Sequence, residues 1–294
     1  CIRDSPGEAF PPSNKTALNL FVSEAKKMNI NAELITEADS ARLMEFDALF
    51  IRQTTAVNHI TYRLAQAAQQ ADMIVIDDPP SIIRCTNKVY LKELLDNTHT
   101  AAPNSKLLFR NIPVSFEELS AELGGVMVIK IPDGSFSIGV SKVSTKDEHD
   151  TLLSSLFQHS SILLAQEFLP TEFDWRIGVL NGDCIFACKY YMARSHWQIY
   201  HHKAGSSTKS GKVETIPVHN VPRKVTRIAT KISTAIGKGF YGVDIKEVGN
   251  DVMVIEVNDN PSIDHGIEDK ILGGELYRII LREFTRRLSQ KRRV

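Results

Sequence analysis

Two carboxylates and an amide late in the chain are spaced for metal chemistry. Asp244 stands in Tyr241-Gly242-Val243-Asp244-Ile245-Lys246, and Val254-Ile255-Glu256-Val257-Asn258-Asp259-Asn260-Pro261 follows after the turn residues Gly249-Asn250-Asp251. Antiparallel strands joined by that turn bring Asp244 close to Glu256, and the two-residue strand period puts Glu256 and Asn258 on one face. An acid set among Val and Ile is costly to bury unless something neutralises it. Hard oxygen donors of this kind suit Mg²⁺ carrying phosphates, with Mn²⁺ as the alternative ion. A strand whose acidic face simply meets water is the competing reading.

Two further clusters fit a nucleotide. Lys130 ends the apolar run Val128-Ile129-Lys130, and a Gly/Ser stretch from Gly134 and Ser135 to Gly139 leads into another strand. Backbone N–H groups of such a loop can cradle phosphate oxygens, and the lysine adds a point charge. A plain hairpin with a lysine stem lying along apolar surface is the alternative. Ala165-Gln166-Glu167-Phe168-Leu169 reads as a strand entering a short linker, which offers backbone groups to an adenine edge and Glu167 to ribose hydroxyls.

Two look-alikes fail on context. Gly237-Lys238-Gly239-Phe240-Tyr241-Gly242 spells a dinucleotide fingerprint, but a helix precedes it and a strand follows, the reverse of the required order. Gly205 to Lys212 suggests a P-loop with one residue too many, and Val213 stands where Ser or Thr is needed.

The elements that must position these residues fall into three stretches. Over 1–85, helical spacing at 14–29 and 59–71 alternates with short apolar strands at Ala32–Ile35, Ala48–Ile51 and Met73–Ile76, ending in the turn Asp77-Asp78-Pro79-Pro80. That alternation predicts a parallel sheet covered by helices, an α/β domain. Over 86–164, Thr86 is the expected N-cap of a helix at 87–97, and Ser115 with Glu118 matches a capping box. With strands at Lys106–Phe109, Val126–Ile131 and Ser137–Lys142, this reads as a small α+β unit. Over 165–294 the pattern is strand-rich, with a run at Leu163–Phe168 leading into it. Its other strands are Trp175–Leu180, Cys184–Tyr191, Gly242–Val248 and Val252–Val257, with helices near 222–236 and 275–289. Residues 192–215 are expected to form a loop.

Composition sets few limits. The chain has 294 residues, and Lys+Arg 35 cancels Asp+Glu 35, so charge gives no nucleic-acid signal. The basic tail Arg286, Arg287, Lys291, Arg292, Arg293 reads as a solvated helix end. Four scattered cysteines do not make a disulfide framework. Cys184 and Cys188, four apart, are expected on one strand face as buried thiols of a cytoplasmic protein. No apolar run is long enough to span a membrane. The chain opens on Cys1 rather than Met, so a processed product or fragment is expected, with a first strand placed upstream.

Taken in order, these clusters resemble the ATP-grasp superfamily, specifically its RimK-like glutamate ligases with an extra N-terminal region. The resemblance runs from about Asp78 to Gly274. It implies an ATP-grasp fold preceded by the parallel-sheet domain, with ATP and Mg²⁺ as cofactors. It casts Lys88 and Lys130 as the two ATP lysines, the 134–139 stretch as the phosphate loop, and Gln166, Glu167, Phe168 and Leu169 as the adenine linker. The Glu167 carbonyl and the Leu169 or Phe168 amide would meet the base. Asp174-Trp175-Arg176 matches a D-x-R element, with Arg176 near the phosphate or acyl phosphate. Asp244, Glu256 and Asn258 match the metal ligands. Lys189 stands where many relatives carry a phosphate-binding arginine, and the acceptor region 194–200 departs from the usual glutamate-ligase form.

The implied activity is ligation of a carboxylate to an amine through an acyl phosphate. The acceptor would be an amino acid, a peptide or a protein tail, and the protein a homo-oligomer. An ATP-grasp kinase acting on a hydroxyl and a non-catalytic nucleotide-binding module are the rival readings.

Overall fold

The computed structural model describes residues 1–133, 139–193, 197, 200–201 and 209–292. The first stretch contains β1 (Ile2–Arg3), α1 (Lys15–Lys27), β2 (Leu34–Ile35), a 3-10 segment (Glu37–Glu45), β3 (Ala48–Ile51), α2 (Ile60–Gln70), β4 (Ile74–Ile76) and α3 (Pro79–Thr86). Its strands form a parallel sheet in the order β2-β1-β3-β4. Both faces are buried, as the apolar strands predict. Phe50 and Ile76 pack with Phe21 of α1, while Leu49, Ile51 and Val75 pack with Leu64 and Ala68 of α2. The strand at Ile2–Arg3, not read from the sequence, lies between β2 and β3.

The expected turn at 77–80 is instead the start of α3. The Asp78 side chain accepts from the Ser81 N–H at 2.9 Å, and the prolines occupy the first turn, where a missing N–H costs nothing. Thr86 therefore ends a helix rather than capping one. Asn87 caps α4 (Lys88–Asn97), its Oδ1 accepting from the Val89 and Tyr90 N–H groups at 3.0 Å each.

The central stretch holds β5 (Ser105–Phe109), α5 (Phe116–Leu123), β6 (Met127–Lys130), β7 (Val140–Val143), α6 (Lys146–Leu156) and β8 (Ile162–Glu167). Its strands pair antiparallel in the order β5-β8-β6-β7. Ser115 and Glu118 form the expected capping box, and Thr145 with Glu148 makes a second one that starts α6. Leu108, Leu119, Met127, Ile129, Leu163 and Ala165 form its core. β8 runs through the 164/165 limit drawn from the sequence, and every residue of it is paired in the central sheet.

The last stretch comprises β9 (Phe173–Leu180), β10 (Asp183–Tyr191), β11 (Tyr200–His201), β12 (Lys209–Ser210), β13 (Val213–Ile216), α7 (Arg223–Ile236), β14 (Phe240–Val248), β15 (Asp251–Asp259) and α8 (Gly274–Lys291). Its main sheet is antiparallel in the order β13-β10-β9-β14-β15. The end of the expected 192–215 loop is thus strand β13. One face of the sheet packs on α7. The other shares a core with α8, α1 and the parallel sheet, through Leu276, Tyr277, Ile280 and Phe284. Gly237 follows α7 and Phe240 opens β14, the helix-then-strand order that excludes a dinucleotide fingerprint.

Cys184 and Cys188 do not share a face. The pairing of β10 with β9 shifts register between Cys184 and Phe186, a bulge that reverses the alternation. Cys184 lies toward α7 and Cys188 toward the α8 core. In the basic tail, Arg286 and Arg287 pair with Glu283, and Lys291 pairs with Asp72 at 2.7 Å. Among the described residues no helix is long and apolar enough to cross a membrane.

Candidate active site

The β14–β15 hairpin builds the acidic end of a cleft between the central and last sheets. Val248 pairs with Asp251, so the turn is the two residues Gly249 and Asn250, with Gly249 at φ 60°. That register sets Asp244 directly opposite Glu256 and Gly242 opposite Asn258. Asn260, at φ 52°, ends the strand and turns Pro261 back over Gly242. A Cβ on Gly242 would meet the Pro261 ring at 2.7 Å, so only glycine fits beneath it.

Strand β9 adds the next side chain. Arg176 pairs with Asp244 across the sheet, and its guanidinium grips the carboxylate with two parallel bonds, Nε to Oδ1 and one terminal nitrogen to Oδ2, each 2.7 Å. Asn258 Nδ2 donates to Asp244 Oδ2 at 3.3 Å. Burial pushes the Asp244 carboxyl above the usual carboxylate range, Arg176 pulls it down, and Glu256 pushes it up. Glu256 lies below the usual range. Desolvation raises it, but Lys88, Lys130 and Arg176 together outweigh that.

The lysines arrive from two different elements. Lys88 opens α4, where its N–H donates to Pro132 O at 3.2 Å, and its Nζ lies 3.2 Å from Glu256 Oε1. Lys130 ends β6 and donates to Gln166 Oε1 of β8 at 2.6 Å. Burial lowers the Lys130 ammonium from 10.5 to about 8, with Glu256 opposing and Lys88 adding to the shift. A buried ammonium of this kind gains most from an anionic ligand.

One cleft is lined by Lys88, Lys130, Gln166, Glu167, Phe168, Leu169, Asp174, Arg176, Asp244, Glu256 and Asn258. Not every expected residue arrives there. Lys189 pairs with Trp175 in register and lies over the Phe173 and Trp175 rings, at 4.5 and 5.0 Å, on the α7 face of the sheet. Arg176 pairs instead with Cys188 and faces the other way. Two-residue alternation therefore carries Lys189 away from the cleft. Gly139, at φ 72°, closes the β6–β7 hairpin through its carbonyl, which accepts from Ile131 N–H at 3.0 Å. Gly134, Ser135 and residues 205–208 of the P-loop look-alike lie outside the described residues.

The linker differs in detail from expectation. Phe168 N–H points to Val126 O at 3.4 Å, which leaves Leu169 the better placed amide for a base edge. The Glu167 carboxylate accepts from Asn104 N–H at 3.3 Å. Asp174, 9% exposed, forms an ion pair with Lys246 at 2.6 Å, and Thr171 Oγ1 bonds to both.

Lys246 escaped the sequence reading although strand alternation puts it on the face of Asp244. The cleft also has a wall from the first stretch, Pro12 and Thr54–Ala56, for which no sequence signal existed. Buried Arg52 fixes that wall, donating to Pro12 O, Ser13 Oγ, Asn260 Oδ1 and Pro261 O at 2.5 to 3.1 Å. Asp77, at the end of β4, accepts from Phe240 and Asn260 N–H groups at 2.6 and 2.8 Å and ties the two sheets together.

The donor set fits a divalent ion with oxygen preference. Two carboxylates face each other across a hairpin with an amide beside them, while Arg176 supplies the balancing charge.

Known proteins resemble this chain in sequence and in fold. Residues 85–280 match the RimK-like ATP-grasp domain. A Shewanella sp. (strain W3-18-1) protein described as "Probable alpha-L-glutamate ligase 1" is 26% identical over 245 residues, covering 82% of this chain and 77% of that protein. The D-alanine–D-alanine ligase of Bacillus anthracis superposes with a TM-score of 0.74 at 16% identity, covering 99% of this chain and 98% of its own. A RimK domain ATP-grasp protein from Sphaerobacter thermophilus DSM 20745 gives 0.67 at 16% identity, covering 94% and 96%. Family and relatives together support an ATP-dependent ligase forming carbon–nitrogen bonds, the enzyme class expected from the sequence. With the motif clusters meeting in one cleft and the family match spanning more than half of its length, this chain belongs to the RimK-like ATP-grasp family.

Proposed function

We propose that the cleft binds ATP with Mg²⁺ and joins a carboxylate to an amine through an acyl phosphate. The observation that carries this reading is the meeting of Asp244, Glu256 and Asn258 with Lys88 and Lys130, drawn from four separate elements, in one cleft. Asp244, Glu256 and Asn258 would hold the ion, which would supply positive charge to neutralise the phosphates. Lys88 and Lys130 place fixed positive charge where the triphosphate lies, and the Leu169 amide meets the base. Glu167, which lines the cleft beside the linker, is the carboxylate suited to the ribose hydroxyls.

A substrate carboxylate oxygen attacks the γ-phosphorus, the bond to the ADP oxygen breaks, and Arg176 lies beside the acyl phosphate that results. An amine then attacks the acyl carbon. Phosphate departs and one proton is released, leaving an amide. The full set of acids and buried lysines supports catalysis over mere nucleotide binding, because such a set costs stability in the empty protein.

By likeness to the alpha-L-glutamate ligase relative, the proposed substrates are glutamate and an amino-acid, peptide or protein-tail partner. A cytoplasmic site of action and association of copies belong to the same proposal. So do the three units 1–85, 86–164 and 165–294, with the second limit moved past β8. Hydroxylamine trapping tests the reaction. With ATP, Mg²⁺ and a panel of amino-acid and peptide carboxylates, at least one hydroxamate is expected. A stable phosphoester in place of any hydroxamate would establish a kinase instead.

A further inference from the structure

Arg176 is held on two sides. Asp244 grips its edge through two bonds of 2.7 Å, and its guanidinium carbon lies over the Tyr190 ring, 4.9 Å from the centre. Strand pairing explains the second contact. Arg176 stands opposite Cys188 and Asp174 opposite Tyr190, so Arg176 and Tyr190 are diagonal neighbours on one sheet face.

The ring is itself fixed. Tyr190 is 5% exposed and its hydroxyl donates to Glu268, whose other oxygen accepts from Asp264 N–H at 2.7 Å. Asp264 accepts in turn from Asn14 N–H at 2.6 Å, where α1 begins. The ring also packs in the core shared with α8.

Asp244 has two duties in this cleft, as the partner of Arg176 and as an expected ligand of the ion. A divalent ion on that carboxylate would set two cations side by side and weaken the attraction that holds Arg176. The carboxylate is also nearly filled, with two bonds from Arg176 and one from Asn258 against about four acceptor positions. An arginine loosened by its partner needs another anchor to stay in place. An aromatic face attracts a cation more strongly away from water, and it takes no oxygen that the ion needs. The N–H bonds of a guanidinium lie in its plane, so a contact through its face leaves them for an anion.

We propose that Tyr190 is a positioning residue. It keeps Arg176 in the cleft when Asp244 binds a divalent ion, so that the guanidinium edge turns to the transferring phosphoryl group. This deepens the ligase reading above and rests on it.

The test follows the Arg176 Nε–H resonance in the full chain carrying ¹⁵N-labelled arginine, assigned by its loss in Arg176→Lys. In wild type the signal should carry the upfield shift of a neighbouring ring, and should keep it, sharp, when Mg·ADP is added. Tyr190→Phe should behave alike. Tyr190→Leu should lack the ring shift and broaden about twofold or more with Mg·ADP. With a carboxylate that yields hydroxamate in wild type, Tyr190→Leu should lower kcat about tenfold or more and leave KM for ATP within about threefold. Tyr190→Phe, which keeps the ring, should restore kcat to within about threefold of wild type. Because Tyr190→Leu could disturb folding, the wild-type resonance alone can refute the idea. A ring shift that vanishes when Mg·ADP binds would overturn it, as would a Tyr190→Leu chain with wild-type signal and kcat. If either is seen while wild type forms hydroxamates, the ligase reading stands and only the role of Tyr190 falls. If wild type forms no hydroxamate, the ligase reading fails and this role falls with it.

Discussion

Replacing Lys130 by methionine should reveal a functional residue that burdens the empty protein. The ammonium is 8% exposed, and burial lowers it from 10.5 to about 8, with Glu256 only partly compensating. One pKa unit corresponds to about 1.4 kcal/mol, so the charged form costs the folded state roughly 3 kcal/mol below pH 8. The sign follows from proton counting. Between pH 8 and 10.5 the unfolded chain holds the Lys130 proton and the folded one does not, so stability rises with pH across that window. Below pH 8 both states are protonated and the cost is constant. From pH 7 to pH 10, wild type should therefore gain about 2–3 kcal/mol relative to Lys130→Met. Urea unfolding of both proteins at the two pH values measures this difference, and other titrating groups cancel between them. Mg·ATP should narrow the gap at pH 7 by meeting the ammonium with phosphate. Parallel pH profiles for the two proteins would refute the reasoning.

Further expectations follow from single contacts. Asp244→Asn and Glu256→Gln should each lower ATP-dependent phosphate release by about a hundredfold or more while the fold survives. Release within tenfold of wild type would remove those residues from the metal site. Arg52→Met leaves four acceptors in a buried seam without donors and should cost about 3 kcal/mol in urea unfolding; a loss below about 1 kcal/mol would mean the seam is not a fixed wall. Lys189→Ala should leave kcat within about twofold, because the side chain lies on the α7 face, and should cost about 1 kcal/mol through the lost ring contacts. A large drop in kcat would return Lys189 to the catalytic set.

What could be read from the sequence was what local spacing controls. The Asp244–Glu256 pairing follows from alternation plus a glycine turn, and the Ser115–Glu118 box from side chains three apart. The box that starts α6, Thr145 with Glu148, carried the same signature and went unread. Misreadings came where alternation was not followed through or was broken. Lys189 sits one residue from the face of Cys188 and Arg176, and the bulge at Cys184–Phe186 reverses a pattern that counting would continue. The cleft wall of Thr54–Ala56 had no local signal at all. It is defined by contacts such as Asn260 to Gln53, 207 residues apart, which depend on how α8 and the parallel sheet share one core. The buried Arg52 could not be told from a surface arginine, because its four partners lie in two distant segments.

In the proposed reaction, the phosphate released by this cleft takes an oxygen from the substrate carboxylate. Turnover with an ¹⁸O-labelled carboxylate, taken from whichever panel member yields a hydroxamate, reads this directly by mass spectrometry of the phosphate. One heavy oxygen per phosphate is the predicted result. Phosphate carrying none of the label would contradict the acyl-phosphate route.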